Sequence, residues 1–94
     1  MQLSITPLAA RDLEEIGDYI AQDNPSRAVA FINELQAHCE IIRSHPEGYR
    51  LRPEFSKTMR SCAHGHYIIF FESDGKEVIV IRVLHGGRDL QSLL

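Results

Sequence analysis

Four groups of side chains in this 94-residue sequence could act on another molecule. Arg60, Arg82 and Arg88 are fixed cations suited to pairing with the carboxylates of an acidic partner. Beside them His85 can change its charge near neutral pH. Each has a plainer reading. Arg82 lies in an apolar run and equally suits an internal ion pair, with Asp89 as a nearby candidate, while His85-Gly86-Gly87 equally marks a strand end where glycine permits a sharp turn. His64 and His66 flank Gly65, which reads as a turn in preference to a metal pair. Cys39 and Cys62 are far apart, without CxxC or Cys/His ligand spacing, and read as reduced, buried thiols. No activating group is apparent near Cys62 in the sequence, and His38 and His45, near a helix C-terminus, carry no assigned role. No cofactor or metal motif is present.

The elements that must position these groups are marked by proline and by hydrophobic period. Leu3 to Ile5 reads as a short strand. Thr6-Pro7 then supplies a capping oxygen and a first-turn proline, and Ala9, Leu13, Ile16 and Ile20 follow as one helical stripe. Asn24-Pro25 repeats the device before a second stripe of Ala28, Phe31, Ile32, Leu35, Cys39 and Ile42, which ends near Ser44-His45-Pro46. The short connection predicts an antiparallel helical hairpin. Tyr49 to Arg52 reads as an extended segment or a loop. Strands are predicted over Thr58–Ala63, His66–Phe71 and Val78–Leu84, the last two joined by a turn at Asp74-Gly75. Strict alternation places Val78, Val80, Arg82 and Leu84 on one face and Ile79, Ile81 and Val83 on the other. Asp89 to Leu94 reads as one helical turn. The sum is a single α+β domain over residues 1–94: an N-terminal strand, a two-helix hairpin and about three antiparallel strands in a small sheet.

Composition limits the function. With 44% hydrophobic and 24% charged residues the chain is an ordinary globular one, and its net charge of −3 argues against a free-standing, sequence-specific nucleic-acid binder. The charge is uneven: residues 1–42 hold seven acidic against two basic side chains, whereas residues 43–60 hold five basic against two acidic. The N-terminus lacks a basic segment followed by an apolar run, and no stretch approaches the ~18 apolar residues of a membrane span, so the expected location is cytoplasmic. Tyr67–Phe71 and Val78–Leu84 have no polar face, so their sheet must be covered on both sides. One helical hairpin covers one side. The other is left to loops and the C-terminal tail, or to another chain lying in a groove.

The ordered motifs resemble the ParE branch of the ParE/RelE toxin superfamily. They are Ala10-Arg11-Asp12-Leu13-Glu14-Glu15-Ile16, Asp18-Tyr19-Ile20, Asn24-Pro25 with Ala28 and Phe31, His45-Pro46 with Arg50, Met59-Arg60-Ser61, and Tyr67 to Phe71. Arg82-Val83-Leu84-His85-Gly86-Gly87-Arg88-Asp89 is the most specific of them. The resemblance implies a helical hairpin on a small antiparallel sheet, and a ParD-like antitoxin bound through Arg60, Tyr67, Phe71, Arg82 and Arg88. It also implies poisoning of DNA gyrase without catalysis. The RelE branch implies an alternative, ribosome-dependent cleavage of messenger RNA, for which Arg60, Arg82 and His85 would supply cations and a proton. The sequence departs from that branch in having no Tyr, His or Lys after Arg88.

Overall fold

The computed structural model describes residues 1–94. Strand β1 (Gln2–Ile5) leads into helices α1 (Pro7–Ala21) and α2 (Pro25–Ser44). A 3-10 turn (Pro46–Gly48) and the two-residue strand β2 (Arg50–Leu51) follow. Then come β3 (Arg60–His64), β4 (Tyr67–Ser73), β5 (Glu77–His85) and the helical turn α3 (Leu90–Leu93). Both long helices start as their sequences predict. Thr6 Oγ1 accepts from the Ala9 N–H at 3.1 Å and Asn24 Oδ1 from the Arg27 N–H at 3.0 Å, each followed by proline in the first turn.

The sheet is five-stranded, in the order β1-β5-β4-β3-β2. It is therefore larger than the three antiparallel strands expected, and mixed: β1 joins it parallel to β5, while the other pairs are antiparallel. On one face Phe31, Leu35, Cys39 and Ile42 of α2, with Ala9 and Ile16 of α1, pack against Ile69, Phe71, Val78, Val80 and Val83. Full burial of a side chain such as Leu35 contributes about 1.5–3 kcal/mol.

The predicted alternation along β5 fails in its second half. Phe70 pairs with Arg82 but Phe71 pairs with Val80, so Ile81 is an extra residue in a β-bulge. A bulge shifts the side-chain phase by one residue. Val83 consequently joins Val78 and Val80 under the helices, and Leu84 turns to the other face. There Leu84, Met59 and Phe70 form a second small core, packed by Phe55, Ile68, Ile81, Leu90 and Leu93. This second face is thus covered by the chain's own β2–β3 loop and C-terminal turn. The open apolar strip lies elsewhere.

Candidate functional site

The site is built where β1 runs out. Beyond Ile5, which pairs with Val80, the outer edge of β5 has no neighbouring strand, and unpaired backbone groups there must find other partners. Side chains at the start of α1 supply them. The Thr6 hydroxyl donates to the Ile81 carbonyl at 2.8 Å, and the Val83 N–H donates to Asp12 Oδ2 at 2.9 Å. Asp12 also takes two bonds from one guanidinium, Arg82 Nε to Oδ2 at 2.7 Å and Arg82 Nη2 to Oδ1 at 2.9 Å. Both side chains are largely buried, with 7% of Asp12 and 15% of Arg82 exposed. The carboxylate bonds hold the Arg82 pKa above its ordinary value. Arg82 Nη1 further donates to the Leu93 carbonyl at 3.2 Å, so this one residue joins α1, β5 and α3.

Above this joint a cleft of about 830 Å³ opens between the helices and the ends of β4 and β5. Ile16, Tyr19 and Ile20 of α1 form one wall, Arg27 and Phe31 of α2 the end, and Tyr67, Val83, His85 and Arg88 the other wall. Its interior is aromatic and apolar. The Tyr67 ring meets His85 edge-on at 5.4 Å and Phe31 at 5.6 Å, and burial raises the Tyr67 hydroxyl pKa. Tyr19 stands 69% exposed on the rim, and Arg27 caps the Phe31 ring at 5.2 Å. Gly65, at φ +58°, turns β3 into β4 in the left-handed region that disfavours a side chain. The Gly87 N–H donates to His85 Nδ1 at 3.1 Å, so that nitrogen is an occupied acceptor and the neutral ring carries its proton on Nε2.

A family model described as "ParE toxin of type II toxin-antitoxin system, parDE" matches residues 3–90. The chain belongs to the ParE toxin family. Toxin ParE1 of Caulobacter vibrioides is 35% identical over 78 residues, covering 82% of this chain and 80% of that one. A solved chain described as "Chromosomal ParDE TA system from P. aeruginosa" superimposes with a TM-score of 0.78, covering 90% of this chain and 95% of its own length. At 23% identity, that match establishes a shared fold.

In this ParE toxin the residues expected from the sequence are divided. Tyr67, His85 and Arg88 meet in the cleft. Arg82 lies beneath it with its guanidinium committed to Asp12, which corrects the expected pairing with Asp89. Phe71 is fully buried under the helices and offers a partner no surface, contrary to expectation. Arg60 sits at the opposite end of β3, paired across to Phe71 and donating to the Tyr49 carbonyl at 2.7 Å. His64, Tyr67 and His85 occupy the other end of the ladder, roughly 13 Å along the strand at ~3.3 Å per residue. Arg60, Arg82 and His85 therefore do not converge on one point.

Asp12 and Tyr19, for which the sequence suggests no site role, complete the site. Asp12 falls between Ala9 and Ile16 at helical spacing, so its place on the buried face was readable, although it sits in an acidic run. Tyr19 is a large aromatic off the apolar stripe. His64 and His66 engage different partners, His38 and His85 respectively. Cys62, expected to lack an activating group, has His38 Nε2 3.0 Å from its sulfur.

Proposed function

We propose that this ParE-family toxin is held inactive by a ParD-like antitoxin whose acidic, amphipathic segment lies in the cleft, and that the freed toxin acts in the cytoplasm by binding DNA gyrase and blocking replication. The observation that carries the reading is the cleft: an apolar, aromatic interior flanked by Arg27 and Arg88. Buried aromatic anchors and arginines are the side chains that dominate protein interfaces, and such a groove suits an amphipathic segment with carboxylates at its edges. Tyr67 and Arg88 keep the antitoxin-contact role expected of them, joined by Tyr19 and Arg27. Arg82 and Asp12 support the wall from beneath.

Action by binding is favoured over RNA cleavage by the layout of the charged groups. His66, His85 and Arg88 in one cleft are the observation on which a nuclease reading draws. Against it, Arg60 is at the far end of the sheet, Arg82 is neutralised by Asp12, and the facing helix presents Glu15 to any approaching phosphate. His85, with Nδ1 already bonded, is poorly placed as a base. The test is a supercoiling assay with purified gyrase and toxin freed from antitoxin. Loss of supercoiling with accumulation of cleaved DNA complexes is expected. Unchanged gyrase, together with new message ends that vanish in His85→Ala, would replace this reading with the nuclease.

A further inference from the structure

Four ionisable side chains form a line from β3 into α2, outside the cleft. Cys62 Sγ is 3.0 Å from His38 Nε2, and His38 Nδ1 is 2.9 Å from His64 Nδ1. His64 Nε2 lies 3.8 Å from Glu34 Oε1. Arg27 Nη1 donates to the other oxygen of Glu34 at 2.9 Å, which holds that carboxyl below its usual range. The ring contacts fit either direction of the relay, and the carboxylate at its end favours one of them. Ionised Glu34 can only accept, so its charge, 3.8 Å away, favours the His64 tautomer that carries its proton on Nε2 and a lone pair on Nδ1. Only one proton fits between the two Nδ1 atoms, and it therefore belongs to His38. A neutral His38 then has its lone pair on Nε2, facing the thiol. In this tautomer the ring protons point away from sulfur, toward the carboxylate, and the thiol has His38 Nε2 at 3.0 Å as a nearer acceptor than the Ala63 carbonyl at 3.6 Å.

We propose that Cys62 is a nucleophilic thiol that exchanges with low-molecular-weight disulfides, with His38 as its general base and His64 and Glu34 as positioning residues for that base. Cys62 sulfur attacks one sulfur of the disulfide, and the new S–S bond forms as the old one breaks. The thiol proton passes to His38 Nε2 and from there to the departing thiolate, which leaves as a thiol. Cys62 is oxidised to a mixed disulfide and half of the small disulfide is reduced, so no further reactant is needed. A base whose other nitrogen is held by a third group is the arrangement that thiol nucleophiles use.

Access and resting charge agree with this role. Strand β2 pairs only with Arg60 and Ser61, so the edge of β3 at Cys62 has no covering strand, and Cys62 is partly exposed. Cys39, by contrast, is 3% exposed and burial pushes its thiol up to about 11. Burial also raises the Cys62 thiol and, with His64, lowers His38. The resting pair is therefore thiol and neutral imidazole, which calls for a general base at the moment of attack. The groups facing the pair are His64 and Glu34, with Arg27 beyond, the buried Cys39 thiol of α2, and Tyr49, whose hydroxyl burial pushes above its ordinary range.

The experiment is the reaction of the full native chain with dithionitrobenzoate between pH 5 and pH 8. One equivalent of nitrothiobenzoate is expected from the two cysteines, and none from Cys62→Ser. At neutral pH the rate should exceed that of an unstructured cysteine peptide by at least ~10-fold, and fall by a similar factor in His38→Gln. The rate should also step up through the histidine range, a step absent from His38→Gln and reduced in His64→Gln. A variant that unfolds exposes Cys39 and releases two equivalents, in which case His64→Gln and the pH step of the unaltered chain decide. A native rate no faster than the peptide's, or a pH profile without the histidine step, would overturn the proposal.

Discussion

Replacing Asp12 with alanine removes three hydrogen bonds at one point and leaves a guanidinium without its counter-ion. Arg82 keeps only the Leu93 carbonyl, and the Val83 N–H loses its acceptor on an edge with no adjacent strand. Removing one member of a buried ion pair costs about 3–5 kcal/mol. The 15% exposure of Arg82 lets water recover part of that, and the orphaned N–H adds about 1 kcal/mol. A loss of roughly 3–4 kcal/mol follows, against a total stability of about 5–15 kcal/mol for a domain of this size. At about 4–8 °C per kcal/mol, the melting temperature should fall by at least ~12 °C. Thermal and urea denaturation followed by far-UV circular dichroism measures this. The double variant Asp12→Leu/Arg82→Met, which removes both charges and keeps apolar bulk, should recover much of the loss. An Asp12→Ala protein within about 1 kcal/mol of the parent, or a double variant no better than the single one, would refute the argument that this pair is a buried structural joint.

Other outcomes follow from the same geometry. Arg27→Ala and Arg88→Ala should each weaken antitoxin binding about 5- to 10-fold by calorimetry, with melting temperatures nearly unchanged, since both arginines lie at the cleft rim; unaltered affinity in both would remove the cleft from the interface. Gly65→Ala forces a side chain into φ +58° and should cost about 1–2 kcal/mol, measured by urea denaturation. His38 is held below its ordinary 6.5 by burial and by His64. A depressed folded-state value favours the folded state when the ring is neutral, so its contribution is present above about pH 6.5 and is lost as pH falls from there through the lower folded-state value. The urea midpoint should therefore drop between pH 7.5 and pH 5.5 by more in the parent than in His38→Gln, and equal slopes would contradict the assignment.

The helices were legible because their starts are punctuated: Thr6-Pro7 and Asn24-Pro25 each combine a capping oxygen with a proline whose missing N–H costs nothing. The β4–β5 hairpin was legible from its apolar content and from Asp74-Gly75. The parallel pairing of β1 with β5 was not, since the partners are about 75 residues apart and no local signal specifies it. Nor was the bulge at Ile81. In a strand with apolar residues on both faces, a one-residue shift leaves the pattern equally apolar, so nothing in the sequence registers it. This hidden shift matters for the site, because it accompanies the placement of Val83 under the helices with its N–H on Asp12. Tyr67 and Arg88, expected as antitoxin contacts, and His85, expected only in the nuclease alternative, share the cleft, whereas Phe71 is buried, because its face could not be known before the register. The Cys62–His38 contact joins a strand to a helix 24 residues away, and spacing alone cannot show such a meeting.

The central claim is that the α1–β5 cleft seats the antitoxin, and amide hydrogen exchange of the toxin with and without its antitoxin tests it most directly. Protection on binding should concentrate in residues 15–20, 27–31, 65–67 and 83–88, the segments that line the cleft. Protection confined to residues 50–60 and 90–94, on the face already closed by the chain's own loop and C-terminal turn, would contradict the account.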